Sequence, residues 1–259
     1  MITLTSDFGL KDPYVAEMKG AILTINPKAT LIDITHEVEK FNVRMAAFML
    51  ASAAPYFPES TVHLAVVDPE VGTKRRALLI QSKKSFFVGP DNGILVLAAE
   101  NQGIAHVYEL TNHSYMLAKV SSTFHGRDIF APATAYLAKG IQPKEFGPEI
   151  KDLTKPEFAS VKKTNNTLIG EVMHIDGFGN IITNINENDV IRDRAEKVNV
   201  DLLDISVQLT FGKTYAETKP KEPIALIGGH GFLEIALNQG NAAEKFHAKA
   251  GDKIVVTAA

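Results

Sequence analysis

Three short polar runs stand where an α/β sheet presents side chains to a ligand. Thr5-Ser6-Asp7-Phe8-Gly9 closes the first apolar run, and Asp68-Pro69-Glu70-Val71-Gly72-Thr73-Lys74-Arg75-Arg76 follows another at Val62 to Val67. Phe124-His125-Gly126-Arg127-Asp128 precedes a helical pattern. Ligands of open α/β sheets sit at the carboxyl ends of strands. A carboxylate at position 7 can accept both hydroxyls of a ribose, or it can simply close an Asx turn. Asp68 either faces a ligand or pairs with a nearby Arg in a surface turn. His125 reads as a ligand, a base or a capped loop residue. His125 and Asp128 form a conceivable metal pair, but three spaced ligands are not evident, which makes metal the weaker reading. Pro90-Asp91-Asn92-Gly93 reads as a turn, and Gly228-Gly229-His230-Gly231 as a hairpin turn between strands. No single spacing identifies a reaction. Together, Asp7, Asp68 and His125 mark one pocket on one α/β layer.

The elements that must position them alternate. After the strand at Ile2 to Thr5, Asp12-Pro13 reads as an N-cap with Pro at the first helical position. Val15, Met18 and Ile22 follow at helical spacing, and Pro27 ends the element. Thr30 to Ile34 is strand-like. Asn42 can cap a helix whose Val43, Ala46, Ala47, Leu50 and Ala54 share a face. Val62 to Val67 reads as a strand covered on both faces. Ala77 to Ile80 and Phe86 to Val88 add two strands, and Asp128 can cap a helix through Leu137 with Pro132 in its first turn. The alternation predicts a layered, Rossmann-like α/β domain over 1–155 with a largely parallel sheet. Residues 156–166, part of a polar, lysine-containing stretch, read as a linker. Beyond it, 167–259 holds short strands separated by Gly and Asn, the pattern of a small antiparallel β-barrel.

Composition narrows the classes. In 259 residues, 27 Lys and Arg against 30 Asp and Glu give a net charge of −3, which disfavours nucleic acid or an anionic membrane as the main partner. The chain has 45% hydrophobic and 22% charged residues, ordinary for a soluble globular protein. It has no cysteine, which excludes disulfide scaffolds, iron–sulfur clusters and thiol nucleophiles and fits a cytoplasmic protein. No signal-peptide pattern opens the chain, and its most apolar stretch, Met45 to Ala54, is shorter than the roughly 20 residues a membrane span needs. Neither G-x-x-x-x-G-K-S/T nor G-x-G-x-x-G after a strand occurs, which disfavours P-loop enzymes and ordinary dinucleotide oxidoreductases.

The motifs taken jointly resemble one family, the S-adenosyl-L-methionine (SAM) hydroxide adenosyltransferases, relatives of fluorinase and chlorinase. The resemblance covers essentially the whole chain. It is carried by T-S-D-F-G at 5–9, V-D-P-E-V-G-T-K-R-R at 67–76, G-P-D-N-G at 89–93, T-F-H-G-R-D-I-F-A-P at 123–132, D-G-F-G-N-I-I-T-N-I at 176–185 and N-Q-G-N-A-A at 238–243. It implies SAM plus water giving adenosine plus L-methionine, with no cofactor beyond the substrate. It implies a homotrimer in which each site lies between one subunit's first domain and a neighbour's second. The family's Asp–Arg–His set maps onto Asp68, Arg75 and His125, and its ribose-holding Asp onto Asp7. Phe124 matches an aromatic position beside the adenosine. Asp176 and Asn180 match positions that hold the methionine amine and the nucleoside, and Asn241 and Ala242 match the adenine-reading segment. Where halide-using relatives have Ser-Arg for the methionine carboxylate, this chain has Gly229-His230, so His230 or glycine-turn N–H groups take that place.

Halide-dependent SAM cleavage is the competing reaction. In those relatives the Asp68 position is aromatic and the Arg–His partners are not kept as a set. A SAM- or adenosine-sensing module without turnover is the competing class, and it has no use for an activated water.

Overall fold

The computed structural model describes residues 1–164, 166–190 and 196–258. The chain divides into two compact units, Met1–Lys155 and Pro156–Ala259.

In the first unit, strands β1 (Ile2–Ser6), β2 (Leu31–Thr35), β3 (Val62–Val66), β4 (Ala77–Ser82), β5 (Phe86–Pro90) and β6 (Ile104–Glu109) form one sheet in the order β2-β1-β3-β5-β4-β6. The pairs β1–β2, β1–β3 and β3–β5 are parallel. The β4–β5 hairpin and β6 add an antiparallel flank. Helices α1 (Tyr14–Ile25), α2 (Val43–Ala53), α3 (Val96–Gln102) and α4 (Ala131–Ala138) cover the sheet. α1 packs on α4, which meets β1 and β3, while α2 packs on α3 and meets β1 and β2. β1 and β3 are buried along their whole length, as central strands covered on both faces are, and the polar Thr3 and His63 buried among their apolar residues pair with each other at 2.8 Å. Ile2, Leu4, Leu64, Met18, Ile22 and Phe130 share one core cluster. Each such side chain contributes ~1.5–3 kcal/mol by leaving water.

Strand order also fixes where a ligand can enter. From β1 the chain crosses outward to β2, then returns to the other side of β1 as β3. The carboxyl ends of β1 and β3 therefore flank a topological switch point, where neighbouring connections diverge and leave a crevice.

Helix starts follow the sequence in part. The Asn42 side chain accepts the Met45 N–H at 2.9 Å and caps α2. Asp12 does not cap α1. Pro13 holds the cap position with no side-chain hydrogen bond, and the helix begins at Tyr14. Asp128 does not cap α4 either. It lies inside a π-helical turn, Gly126–Phe130, that runs directly into Ala131. There it is fully buried, accepting the Ser121 N–H at 2.7 Å and the Arg127 guanidinium at 2.6 Å. Pro132 does fall in the first turn of α4, where a missing N–H costs little.

The second unit is a closed barrel. Strands β7 (Lys162–Thr164), β8 (Thr167–Ile175), β9 (Ile181–Asn186), β10 (Lys197–Leu202), β11 (Ile205–Gly212), β12 (Pro223–Ile227), β13 (Phe232–Leu237) and β14 (Lys253–Ala258) are joined late in the unit by helix α5 (Ala242–Phe246). The order is β14-β10-β11-β12-β13-β9-β8, and pairing of β14 with β8 closes the ring. Closure leaves those strands no open edge. The barrel is antiparallel except at β11–β12, which run parallel because residues 213–222 cross over instead of turning straight back. Val172, Ile181, Val200, Leu233, Ile235 and Ile254 fill its interior. Residues 156–166, read as a linker, carry a 3-10 turn at Glu157–Ala159 and strand β7, which pairs with β8.

Candidate active site

Asp7 is the first residue after β1, and Asp68 lies two residues beyond β3. The two carboxylates thus flank the switch point. Asp7 is nearly buried, and its Oδ2 accepts the Phe41 N–H at 2.9 Å. The Lys40 ammonium bonds its carbonyl oxygen. The loop carrying Lys40 and Phe41 is tied down beneath it. Ser6 Oγ lies 2.7 Å from His36 Nδ1, and the Gly9 N–H donates to the His36 carbonyl at 2.7 Å.

Asp68, Arg75 and His125 form one connected set. Arg75 Nε lies 3.0 and 2.9 Å from the two Asp68 oxygens, and Nη2 adds a further bond to Oδ2. The same Nη2 lies 2.8 Å from His125 Nδ1. Both the Asp68 and the Arg75 side chains are only 5% exposed, so this is not the surface ion pair of the alternative reading. Arginine has no acceptor to offer. His125 Nδ1 must therefore be the unprotonated nitrogen, and the ring proton sits on Nε2. Burial is the larger force lowering the His125 pKa below 6.5; the Arg75 charge adds to it, while Asp68 and Asp128 pull it back.

The loop bearing the pair is clamped at both ends by the turn after β5. Asn92 Nδ2 donates to the Val67 carbonyl at 2.8 Å, and the Asp91 N–H donates to the Arg76 carbonyl at 3.0 Å. Asp91 also binds the Arg76 side chain and the Thr154 N–H. Pro90-Asp91-Asn92-Gly93 is thus a turn, as its sequence reads, and one that positions the loop between Val67 and Arg76. On the loop's other side, Gly72 has φ +80°, and a Cβ there would lie 2.2 Å from the Ser122 carbonyl oxygen. Only glycine permits that approach.

A cleft joins these groups. Asp7, Asp68, Phe124 and His125 line it together with Phe8, Asp12, Tyr14, Lys40 and Phe41. Phe8, Tyr14 and Phe124 stand ring to ring, with centroids 5.3–5.7 Å apart. Packed edge to face, they give the cleft an aromatic side against which a nucleoside can lie. The Arg75 guanidinium lies 5.1 Å from the Phe130 ring centroid.

The second unit has its own cleft, running along β13. Asp176, Asn180, His230 and Asn241 line it beside Phe178, Tyr215, Glu234 and Asn238. Asp176 closes a tight turn. Its Oδ1 accepts the N–H groups of Phe178 and Asn180, and its Oδ2 accepts Asn180 Nδ2, each at 2.9 Å. Asn241 caps α5 through the Glu244 N–H. Ala242 is fully buried in the barrel core and does not line the cleft. The turn 228–231 joins the antiparallel strands β12 and β13, as its glycines read. The Tyr215 hydroxyl donates to Glu234 Oε1 at 2.8 Å. Burial, then that bond, push the Tyr215 pKa up to about 12. Among the described residues, no group of three or more His, Cys, Asp or Glu could hold a metal ion.

The N-terminal domain model of the SAM hydroxide adenosyltransferases matches residues 2–147, and the C-terminal domain model matches 170–255. The chain belongs to the SAM hydroxide adenosyltransferase family. It is 38% identical to an (R)-S-adenosyl-L-methionine hydrolase of Methanocaldococcus jannaschii, over 99% of this chain and 95% of that one. It is 37% identical to a protein of the same name from Thermus thermophilus, over 95% of each. A fluorinase of Actinoplanes is more distant, at 28% identity over 100% of this chain and 98% of that one. An uncharacterised conserved protein of Thermotoga maritima, known as a crystal structure, superposes with a TM-score of 0.88. It is 39% identical, over 99% of this chain and 100% of that one.

Five residues lining the two clefts escaped the sequence reading: Tyr14, Lys40, Phe41, Tyr215 and Glu234. Glu234 had a signal. It is the one charged residue in Phe232-Leu233-Glu234-Ile235-Ala236-Leu237, and a lone carboxylate in an otherwise apolar run marks either a register break or a buried functional group.

Proposed function

We propose that this protein hydrolyses SAM to adenosine and L-methionine. One observation carries the reading: the closed Asp68–Arg75–His125 set on the wall of a nucleoside-sized cleft, in a chain 35–38% identical to named SAM hydrolases. The sulfonium makes C5′ of the ribose electrophilic, with a neutral thioether as leaving group. Water is the weak partner and must be held in line behind C5′. The Nε2–H of His125 donates to the water oxygen, and Asp68 accepts one of its protons. Arg75 fixes both groups and keeps Asp68 ionised. Orientation of this kind supplies up to roughly 7–11 kcal/mol of the barrier. The O–C5′ bond forms as the C5′–S bond breaks, with the electron pair going to sulfur. The resulting oxonium is a strong acid and passes its proton to Asp68 and on to solvent. With Nδ1 committed to Arg75, His125 orients the water, and Asp68 takes the proton.

Asp7 holds the ribose through the lone pairs that Phe41 leaves free, and Phe124 with its neighbouring rings lies against the nucleoside. Asp176, Asn180, His230 and Asn241 serve the methionine half and the adenine, with Ala242 contributing at most its backbone. The first cleft, about 220 Å³, is smaller than the roughly 300–1,000 Å³ of complete small-molecule sites. That size, and the split of candidates over two units, support a homotrimer in which a neighbouring chain completes each site. SAM is the only small molecule the reaction needs besides water; neither cofactor nor nucleic acid enters the scheme. Work in the cytoplasm belongs to the same reading, which a chain without cysteine fits. No helix among the described residues is long and apolar enough to cross a membrane.

The test is chromatography of SAM incubated with the purified protein, with and without chloride. Equal adenosine and methionine, independent of chloride, is the expected outcome. A 5′-halogenated nucleoside, or unchanged SAM, would sink the proposal.

A further inference from the structure

A second connected polar set lies beneath the first cleft, and the proposed reaction makes no use of it. Ser6 Oγ is 2.7 Å from His36 Nδ1, and His36 Nε2 is 3.1 Å from Asp33 Oδ1. Asp33 Oδ2 in turn meets the Lys19 ammonium at 2.6 Å. The residue types are those of a hydrolytic Ser-His-Asp set, but the placement is not. Ser6 is fully buried and does not line the cleft, and its oxygen already accepts the Phe8 N–H at 3.3 Å. With the ring proton on Nε2, facing the Asp33 carboxylate, Nδ1 accepts the Ser6 O–H. A buried hydroxyl so committed is no nucleophile.

What the set does reach is Asp7. His36 grips the turn on both sides of that residue: its ring holds Ser6, and its carbonyl accepts the Gly9 N–H at 2.7 Å. A slip in strand pairing brings it there. β1 and β2 pair in step as far as Leu4 and Asp33, after which Thr5 faces Thr35 and Ile34 is passed over. An irregularity of this kind re-aims the residues beyond it. We infer that His36 is a positioning residue for the ribose site: through Ser6 and Gly9 it sets the direction of the Asp7 carboxylate, while Asp33 and Lys19 fix its ring. The inference rests on Asp7 holding the ribose of SAM and deepens that reading. Hydrogen bonds from two ribose hydroxyls to one carboxylate are directional. A turn that loosens therefore loses affinity for the hydroxyls and keeps most of its affinity for the rest of the nucleoside.

Calorimetry on the full chain tests this with two ligands, adenosine and 2′,3′-dideoxyadenosine, which lacks both ribose hydroxyls. Ser6→Ala removes the partner of the His36 ring. His36→Gln puts an amide in the place of Nε2 and leaves Ser6 without Nδ1, whereas His36→Asn puts the amide in the place of Nδ1. In Ser6→Ala and His36→Gln, adenosine affinity is expected to fall about fivefold, the scale of one buried hydrogen bond. The dideoxy nucleoside should stay within about twofold of the parent in both, and His36→Asn within about twofold for either ligand. The KM for SAM should rise in the first two variants with kcat nearly kept, because the ribose is held alike before and during the reaction. A role confined to stability would lower the melting temperature and leave the preference between the two nucleosides unchanged. Equal losses for the two nucleosides, unchanged affinity for both, or a His36→Asn variant as impaired as His36→Gln overturns the inference. Ser6→Ala, the smallest change, decides it should His36→Gln fail to fold. A parent protein that does not prefer adenosine to its dideoxy analogue overturns the ribose role of Asp7 itself, a separate result.

Discussion

The two clefts balance charge in opposite ways. In the first unit the polar set is matched from within: Arg75 faces Asp68 and also bonds His125, while Lys40 and the Phe41 N–H hold Asp7. In the second, Asp176 and Glu234 are held by backbone N–H groups, an asparagine and a tyrosine. A site that must orient a neutral water gains from being fixed before the substrate arrives. A site that must select a cation gains from leaving negative charge under-compensated. On the proposed reading, the first cleft is preorganised and the second is completed by its ligand.

The sharpest way to break this contrast is to unbalance the first cleft. Asp68→Asn preserves shape and removes charge; His125→Ala removes the other anchor of the water. Single-turnover conversion of SAM should slow by roughly 10²–10⁴-fold in each, the usual range for a positioned proton acceptor. The double variant should cost little more, because the groups act as a unit. Adenosine affinity should barely move. Near-parental rates in both single variants would make the set structural.

A smaller effect is expected at Asp7. Two charge-assisted hydrogen bonds to ribose hydroxyls, each worth about 1.5–3 kcal/mol, predict that Asp7→Ala weakens adenosine by about a hundredfold or more. Calorimetry that finds the parental affinity in a folded variant removes Asp7 from the site. The contrast is sharpened if methionine binding, assigned to the other cleft, is little changed in the same variant.

The smallest effect concerns pH. Burial, and after it Arg75, hold the His125 pKa below its ordinary 6.5. Neutral imidazole therefore predominates at pH 6.5, and half-protonation, which removes the Nδ1 acceptor, comes only below it. The kcat/KM of the parent should fall on the acid side with a midpoint below pH 6.5 and level off above it. A falling limb centred above 6.5 would mean that His125 is not held neutral by these neighbours.

What the chain revealed before folding follows the same division. Strands β1 and β3 and the residues at their ends were legible because short runs rich in apolar and β-branched residues stop abruptly at an aspartate. The Asn42 cap was legible because its side chain bonds three residues along. Asp128 misled, since an acidic residue before an apolar helix has the composition of a cap. Only the π-turn and the burial beside Arg127 show that it faces inward. Tyr14 and Lys40 were hidden because they reach the cleft across a helix start and a distant loop. Tyr215 was hidden because its bond to Glu234, across 19 positions, leaves no local pattern, whereas Glu234 stood out in its apolar run without showing what it faced. Neighbourhoods made by contiguous segments can be read in a sequence, whereas those made by crossings between strands need the fold.

Gly72 gives the first cleft a hard stop. The loop carrying Asp68 and Arg75 comes so close to the Ser122 carbonyl that no Cβ fits between them. The gap between the two chain segments is thereby set by main-chain atoms, which do not change rotamer. Backbone contact works here as a machinist's gauge block, fixing clearance by thickness instead of by fastening. Hydrogen bonds across the set can lengthen or exchange with solvent from moment to moment. The spacing to which Asp68 and His125 return is cut into the polypeptide itself.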